Sequence, residues 1–242
     1  MAQLVHYLIL SMNNYFRILF YRCIIASKIL MGKQVTFLEL LISRKVHPDF
    51  FYIQIGANDG KKWDPIFRIV NILKLKGIAL EPIKDIFEKL TINYKRNPQV
   101  KLVNKAIHKT EKEAVIYRID PTLTNIPNWT EGTGSFFKKH HELSGFNSSQ
   151  IIEEKVSCIS FNDLINQEDI SKIDLVQIDT EGYDFEIVYS IDFNNFKPSI
   201  ISFEHAVKSN VNTLTSFNNI INHLSLYGYK FWHDDFDIVA YQ

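Results

Sequence analysis

The chain has 242 residues, a length that suits one domain with additions. Its 27 Lys and Arg balance 27 Asp and Glu, with 46% hydrophobic and 22% charged residues. That is the composition of an ordinary folded domain, and it offers no basic field to attract nucleic acid. The two cysteines, Cys23 and Cys158, stand far apart. They suggest neither a disulfide framework nor a zinc site, and they fit a reducing cytoplasm.

Residues 1–48 are rich in large apolar side chains, but Arg17, Arg22 and Lys28 interrupt them. No run reaches the roughly 20 apolar residues of a membrane span. The start is not basic and Arg17 splits the apolar block, so a signal peptide is not indicated either. The expectation is an N-terminal helical extension of amphipathic helices packed on the domain. A peripheral membrane or oligomer contact is the alternative for this segment.

From residue 49 to 242 short apolar runs alternate with helical periods, which predicts an α/β sheet, mostly parallel. "FYIQIG" reads as a strand. A helix follows, with Asp64 as N-cap, Pro65 at its first position and Gly77 as terminator. "GIALEP" is a second strand, "IKDIFEKLTINYKRN" a helix and "VKLVNKAIH" a third strand. "EAVIYRID" alternates as an additional, antiparallel strand. Residues 121–150 carry Pro, Gly, Asn and Ser without period and read as a long functional loop. In it His140 and His141, beside Lys138 and Lys139, read as solvated basic surface. Then come "EKVSCISFNDLI", a strand running into a helix, and "DLVQIDTEGYDFEIVYSI", a strand, a glycine turn and a helix. "SIISFEHA", a helix ending near Gly228 and a closing hairpin complete the chain.

Ligands of open α/β sheets sit beyond the carboxyl ends of the strands, so the polar residues there carry the argument. The first strand ends in Gly56-Ala57-Asn58-Asp59-Gly60. This is neither the dinucleotide fingerprint, whose middle glycine is missing, nor a P-loop. A turn alone would not need Asp59, whereas a ligand would. Glu81 ends the second strand, where a carboxylate accepts both hydroxyls of a ribose. Asn104 ends the third strand. Asp179 and Glu181 follow an apolar strand, with Gly182 opening a helix, and two acids so placed suggest a site. Glu204 and His205 end the next strand as an adjacent carboxylate and imidazole.

The segments "IGANDG", "ALEP", "VNKAI", "KIDLVQIDTEGYDFEIV" and "IISFEH", in that order, resemble the FkbM family of S-adenosylmethionine-dependent methyltransferases. "SCISFNDLI" looks like the family's usual lead-in, with Phe161-Asn162 where Leu-Asp is commoner. The resemblance covers about residues 50–241. It implies a Rossmann-like class I methyltransferase sheet with a terminal antiparallel strand, and methyl transfer to a hydroxyl oxygen. By position it puts Gly56, Ala57, Asn58, Asp59 and Gly60 along the methionine end of S-adenosylmethionine and Glu81 on the ribose. Asn104 and Ala106 would lie by the adenine, and Asp179, Glu181 and Gly182 would border cofactor and acceptor.

A hydroxyl acceptor has a high pKa and calls for a general base. His205 is the first candidate and Asp179 the second, with Glu204 adjacent. No metal is assigned, a divalent ion on Asp179, Glu204 and His205 being the minor alternative. The acceptor is a glycan or other small hydroxylated molecule, including a phosphorylated glycolipid held by the basic loop. Two further functions stand beside this one: a nicotinamide-dependent oxidoreductase, and a non-catalytic membrane-associated scaffold on the same fold.

Overall fold

The computed structural model describes residues 13–205 and 213–242. It opens with helices α1 (Asn14–Leu30) and α2 (Phe37–Lys45), whose ends the sequence sets locally. Asn13 caps α1, and Thr36 and Glu39 form a reciprocal capping box on α2. Glu39 also takes the Lys28 ammonium at 2.8 Å, tying α1 to α2. Ile18, Tyr21 and Ile25, spaced by helical turns, enter the same apolar cluster as Tyr52, Ile69 and Leu175 of the sheet region. The extension therefore shares a core with the domain. Among the described residues no helix is long and apolar enough to cross a membrane.

The rest of the chain alternates as β1 (Phe51–Ile55), α3 (Phe67–Leu73), β2 (Lys76–Leu80), α4 (Lys84–Tyr94) and β3 (Val100–Val103). A second group follows: β4 (Ala106–Ile107), β5 (Glu113–Ile119), β6 (Gly134–Ser135), α5 (Lys138–Leu143) and β7 (Ile151–Ile159). The chain closes with α6 (Phe161–Gln167), β8 (Leu175–Ile178), α7 (Asp184–Ser190), β9 (Ile200–Glu204), α8 (Leu214–Ser225), β10 (Lys230–His233) and β11 (Asp237–Tyr241).

Seven strands form one sheet in the order β10-β11-β9-β8-β1-β2-β3. β11 runs antiparallel to both neighbours, while β9-β8-β1-β2-β3 are parallel throughout. β2 and β3 step outward on one side of β1 and β8 takes the other, so the order reverses at β1. That is where a ligand crevice belongs in an open sheet. The fold is the Rossmann-like α/β class that the sequence motifs imply.

Several features differ from the sequence reading. The helix after β1 starts at Phe67 rather than Pro65, with Ile66 at its cap position, although Asp64 Oδ1 still accepts the amides of Ile66 and Phe67 at 2.8 and 2.9 Å as an N-cap would. It stops through Lys74, which itself takes the left-handed conformation at φ 53°. Gly77 terminates nothing: it lies inside β2, where a Cβ would come within 2.4 Å of the Tyr52 ring. Finally, the third strand is broken at Asn104, and β4 leaves the main sheet for a second one ordered β4-β7-β5-β6. Residues 121–150 are also not an open loop, since they supply β6 and α5.

Because Tyr52 is fully buried against Gly77, Gly77→Ala should destabilise the protein by about 1–3 kcal/mol through overpacking. Equilibrium urea unfolding should show an earlier midpoint with an unchanged slope. An unmoved midpoint would mean that β1 and β2 can shift enough to clear both the Tyr52 ring and its carbonyl oxygen.

Candidate functional site

The turn after β1 is set by close approach of backbone. Gly56 has φ 79°, and a Cβ there would lie 1.8 Å from the Asp179 carbonyl oxygen. The Gly56 and Ala57 amides donate to the Leu80 carbonyl at 3.0 and 2.8 Å, fastening the turn to the end of β2. Asp59 is engaged by the turn itself: its Oδ1 accepts the amides of Lys61 and Lys62 at 2.8 and 2.7 Å. The turn thus does need this carboxylate, which closes it in the manner of an Asx turn. Gly60 leaves room for Leu90 and Tyr94, either of which would clash with a Cβ.

Glu81, only 3% exposed, ties three segments together. Its Oε2 accepts the Asn58 amide and its Oε1 the Ile83 amide, each at 2.9 Å. Burial pushes its carboxyl up to about 8 despite these bonds. A carboxylate has about four acceptor positions, so two lone pairs remain for a ligand. Asn104 pins the following bend, its side-chain amide donating to the carbonyls of Glu81 and Pro82 at 2.8 and 2.9 Å.

The second half of the site follows β8. Glu181 and Gly182 turn the chain with positive φ, 55° and 110°. Asp184, fully buried, accepts from the Thr180 hydroxyl at 2.7 Å and from the Thr180 and Glu204 amides at 3.2 and 3.1 Å. It thereby joins the ends of β8 and β9, and burial lifts its carboxyl to about 6. Asp179 keeps accessible surface where it borders the cavities. The protein packed around it, then the charges of Glu181, Asp184 and Glu204, hold its carboxyl well above the usual carboxylate range. Glu204 is raised to about 8, by burial first and then by Glu181 and Asp184, and its Oε2 has no hydrogen-bond partner.

Two side chains from residues 121–150 complete this corner. His140 Nε2 lies 2.8 Å from Glu181 Oε2, and the Ser135 hydroxyl donates to the Glu181 carbonyl at 2.7 Å. His140 and His141 are 6% and 0% exposed, so neither is solvated basic surface. His141 instead donates to the Tyr117 carbonyl at 2.8 Å.

Two cavities meet here. The first is lined by Glu81, the apolar Pro82, Ile83, Ile107 and Phe136, and Ala106. The second is lined by Gln54, Gln177, Asp64, Trp63 and Trp129. Gly56, Asn58, Asp179 and Glu181 form the wall that both share. Asp59, Gly60 and Asn104 line neither cavity; they hold the turns that shape the first one. Glu204 stands behind Asp184, and His205 lies off both cavities, its Nε2 donating to the Asp234 carbonyl at 3.2 Å and its ring packed on Phe217. Among the described residues no group of three His, Cys, Asp or Glu side chains is placed to hold a metal ion.

Sequence reasoning overlooked Asp184, His140, Ser135, Gln54 and Gln177. Asp184 sits inside the quoted acidic segment, and an acid that opens a helix on an otherwise apolar face is a detectable signal. The two glutamines were also visible as the polar residue of an apolar strand, "YIQI" and "LVQI". They pair across β1 and β8, and each Oε1 is buried without a partner from the protein.

Glu81, Glu204 and Asp184 carry raised carboxyls, so between about pH 4.5 and 8 the folded protein holds protons that the unfolded chain has released. Stability of the ligand-free protein should therefore fall as pH rises through that window. Glu204→Gln cannot ionise and should make the fall shallower, raising the melting temperature at the alkaline end by about 2–4 °C, which is ~1 kcal/mol for a chain of this size. Parallel melting curves of wild type and variant across the window would refute this.

Residues 54–231 match the family described as the Methyltransferase FkbM domain. No curated protein sequence matches the chain. Among solved structures, it is similar to precorrin-6y C5,15-methyltransferase from Geobacter metallireducens GS-15, at 13% identity over 80% of each chain and a TM-score of 0.41. A fibrillarin pre-rRNA processing protein from Methanococcus jannaschii gives 13% identity over 85% of this chain and 74% of that one, TM-score 0.41. The N-terminal domain of human METTL16 gives 12% identity over 85% and 67%, TM-score 0.42. These likenesses are remote, and the family match, which spans well over half of the chain, decides the assignment: this chain belongs to the FkbM methyltransferase family.

Proposed function

We propose that this methyltransferase takes its methyl group from S-adenosylmethionine and delivers it to a hydroxyl oxygen of a glycan or other small hydroxylated molecule. The observation that carries the reading is the pair of cavities meeting at one wall of Gly56, Asn58, Asp179 and Glu181. One cavity suits a nucleoside: Glu81 has lone pairs left for a ribose diol, and Pro82, Ile83, Ile107 and Phe136 supply apolar faces for a purine. The cradle at Gly56, which any Cβ would fill, lets the backbone come close to the group bound there. The other cavity then borders the methionine end of the donor at the Gly56-Ala57-Asn58 turn and takes the acceptor beyond it.

When bound, S-adenosylmethionine supplies an already electrophilic sulfonium methyl. What remains for the protein is to align the acceptor oxygen and to remove its proton. Asp179 stands at the shared wall, and its raised carboxyl makes it a stronger proton acceptor than an ordinary aspartate once ionised. Glu181 is oriented by His140 and by the left-handed turn in which it sits. His205, the first candidate from sequence, is directed to the β10–β11 hairpin, and the base role goes to Asp179 in this reading.

Asp179→Asn should retain S-adenosylhomocysteine binding by calorimetry while lowering turnover about 10²–10⁴-fold, the range of a lost general base. His205→Ala should keep turnover near wild type. Glu81→Ala should weaken S-adenosylhomocysteine about tenfold or more, ~1.4 kcal/mol. Undiminished turnover in the Asp179 variant, or its collapse in the His205 variant, would return the base to His205.

A further inference from the structure

Beyond the Gly56-Ala57-Asn58 turn, which would border the methionine end of the donor, the second cavity holds two further observations. Gln54 and Gln177 are 1% and 4% exposed, lie side by side on β1 and β8, line the cavity, and each leaves its Oε1 without a hydrogen-bond partner. Gln54 turns its amide toward Asp64, so on both glutamines the Oε1 is the buried acceptor that a ligand's donor would satisfy. Trp63, at the rim, is 81% exposed and held at φ 58°, a conformation that bulky residues avoid. Strain of this kind persists where the surroundings impose it and clusters at ligand clamps. Trp129 lines the same cavity and is 43% exposed.

The chemistry of the lining selects the ligand. An amide both donates and accepts, as does a hydroxyl, so a buried glutamine pair suits vicinal hydroxyls. Tryptophan faces are electron-rich and suit the polarised C–H face of a saturated ring. Asp64, Asp179 and Glu181 border the space, while the Lys62 ammonium is taken up by Glu131 at 2.6 Å. A phosphate or carboxylate on the ligand would meet carboxylates here. The side chains of His140 and His141 in the basic loop are occupied elsewhere.

We propose that the second cavity is a saccharide subsite for an uncharged pyranose ring, stacked at Trp63 and Trp129 and held by its hydroxyls at Gln54 and Gln177, with one hydroxyl presented to Asp179. This rests on the methyltransferase reading above, and it narrows the acceptor from hydroxylated molecules in general to neutral sugars, excluding phosphorylated ones. Gln54 and Gln177 are then specificity-determining residues: they select by hydrogen bonding and take no part in bond making.

The test is binding rather than turnover. The full chain, saturated with S-adenosylhomocysteine, is titrated with methyl glycosides of the common neutral hexoses, deoxyhexoses and pentoses, followed by tryptophan fluorescence and saturation-transfer NMR. The matching hexose phosphates, a hexuronate and an alkylamine serve as comparison. At least one neutral glycoside should bind about tenfold or more tightly than its charged counterparts, with Trp63 quenched. Gln177→Leu should abolish that binding while raising the melting temperature, because it removes an unsatisfied buried amide, and Trp63→Ala should weaken it about tenfold. Absence of binding by every neutral glycoside, preference for a phosphate or the amine, or full retention in Gln177→Leu would overturn the proposal. Failure of S-adenosylhomocysteine to bind the wild type would instead strike the methyl-donor reading, since that cavity is measured separately.

Discussion

The approach of Gly56 to the Asp179 carbonyl is the constraint on which the site depends. β1 and β8 are neighbours in a parallel sheet, and their ends converge so closely that a single Cβ at residue 56 would come within 1.8 Å of the Asp179 carbonyl oxygen. Both cavities use this crossing as their common wall. Were the strands pushed apart by a methyl group, the turn would lose its bonds to Leu80, and Asn58 its bond to Glu81. A pure turn requirement would ask only for positive φ. Here the glycine is also needed for lack of volume.

Around that crossing the protein gathers carboxyl groups at an energetic cost. Asp179, Asp184, Glu204 and Glu81 are each raised above their ordinary range, with withdrawal from water as the first cause. Asp184 offsets its burial with three hydrogen bonds that join two strand ends, which is a structural use. Asp179 instead keeps accessible surface at the cavities, and the like charges of Glu181, Asp184 and Glu204 beside it add to its rise. Groups left in that condition are what binding and proton-transfer sites are made from.

The insertion between β5 and β7 ties the corner together. It reaches across to bring Ser135 and His140 onto Glu181, and Trp129 to the second cavity. Its Glu131 receives Lys62 and Lys89, and this pairing holds the Glu131 carboxyl down to about 2. Those pairs lie on the surface and add little stability individually. They do fasten the insertion to the β1 turn and to α4, so that both cavities are bounded by one connected body.

The amino-acid sequence by itself determined the alternation of strands and helices, the sheet class and the strand-end positions of Glu81, Asp179 and Glu181. These follow from local periodicity and from the rule that polar groups at strand ends face the crevice. It misread elements whose meaning is non-local. Gly77 looked like a helix terminator because glycine usually is one, yet it serves the Tyr52 ring across the sheet. His140 looked solvated because its neighbours in sequence are lysines, although its partner is Glu181. Asp59 looked reserved for a ligand, but its own turn uses it. Only the tertiary structure decided which polar residues share a cavity, because hydrogen-bond partners and burial depend on segments dozens of residues apart. The pairing of Gln54 with Gln177 is the clearest case, two ordinary strand residues that come to line one cavity when β1 and β8 are laid side by side.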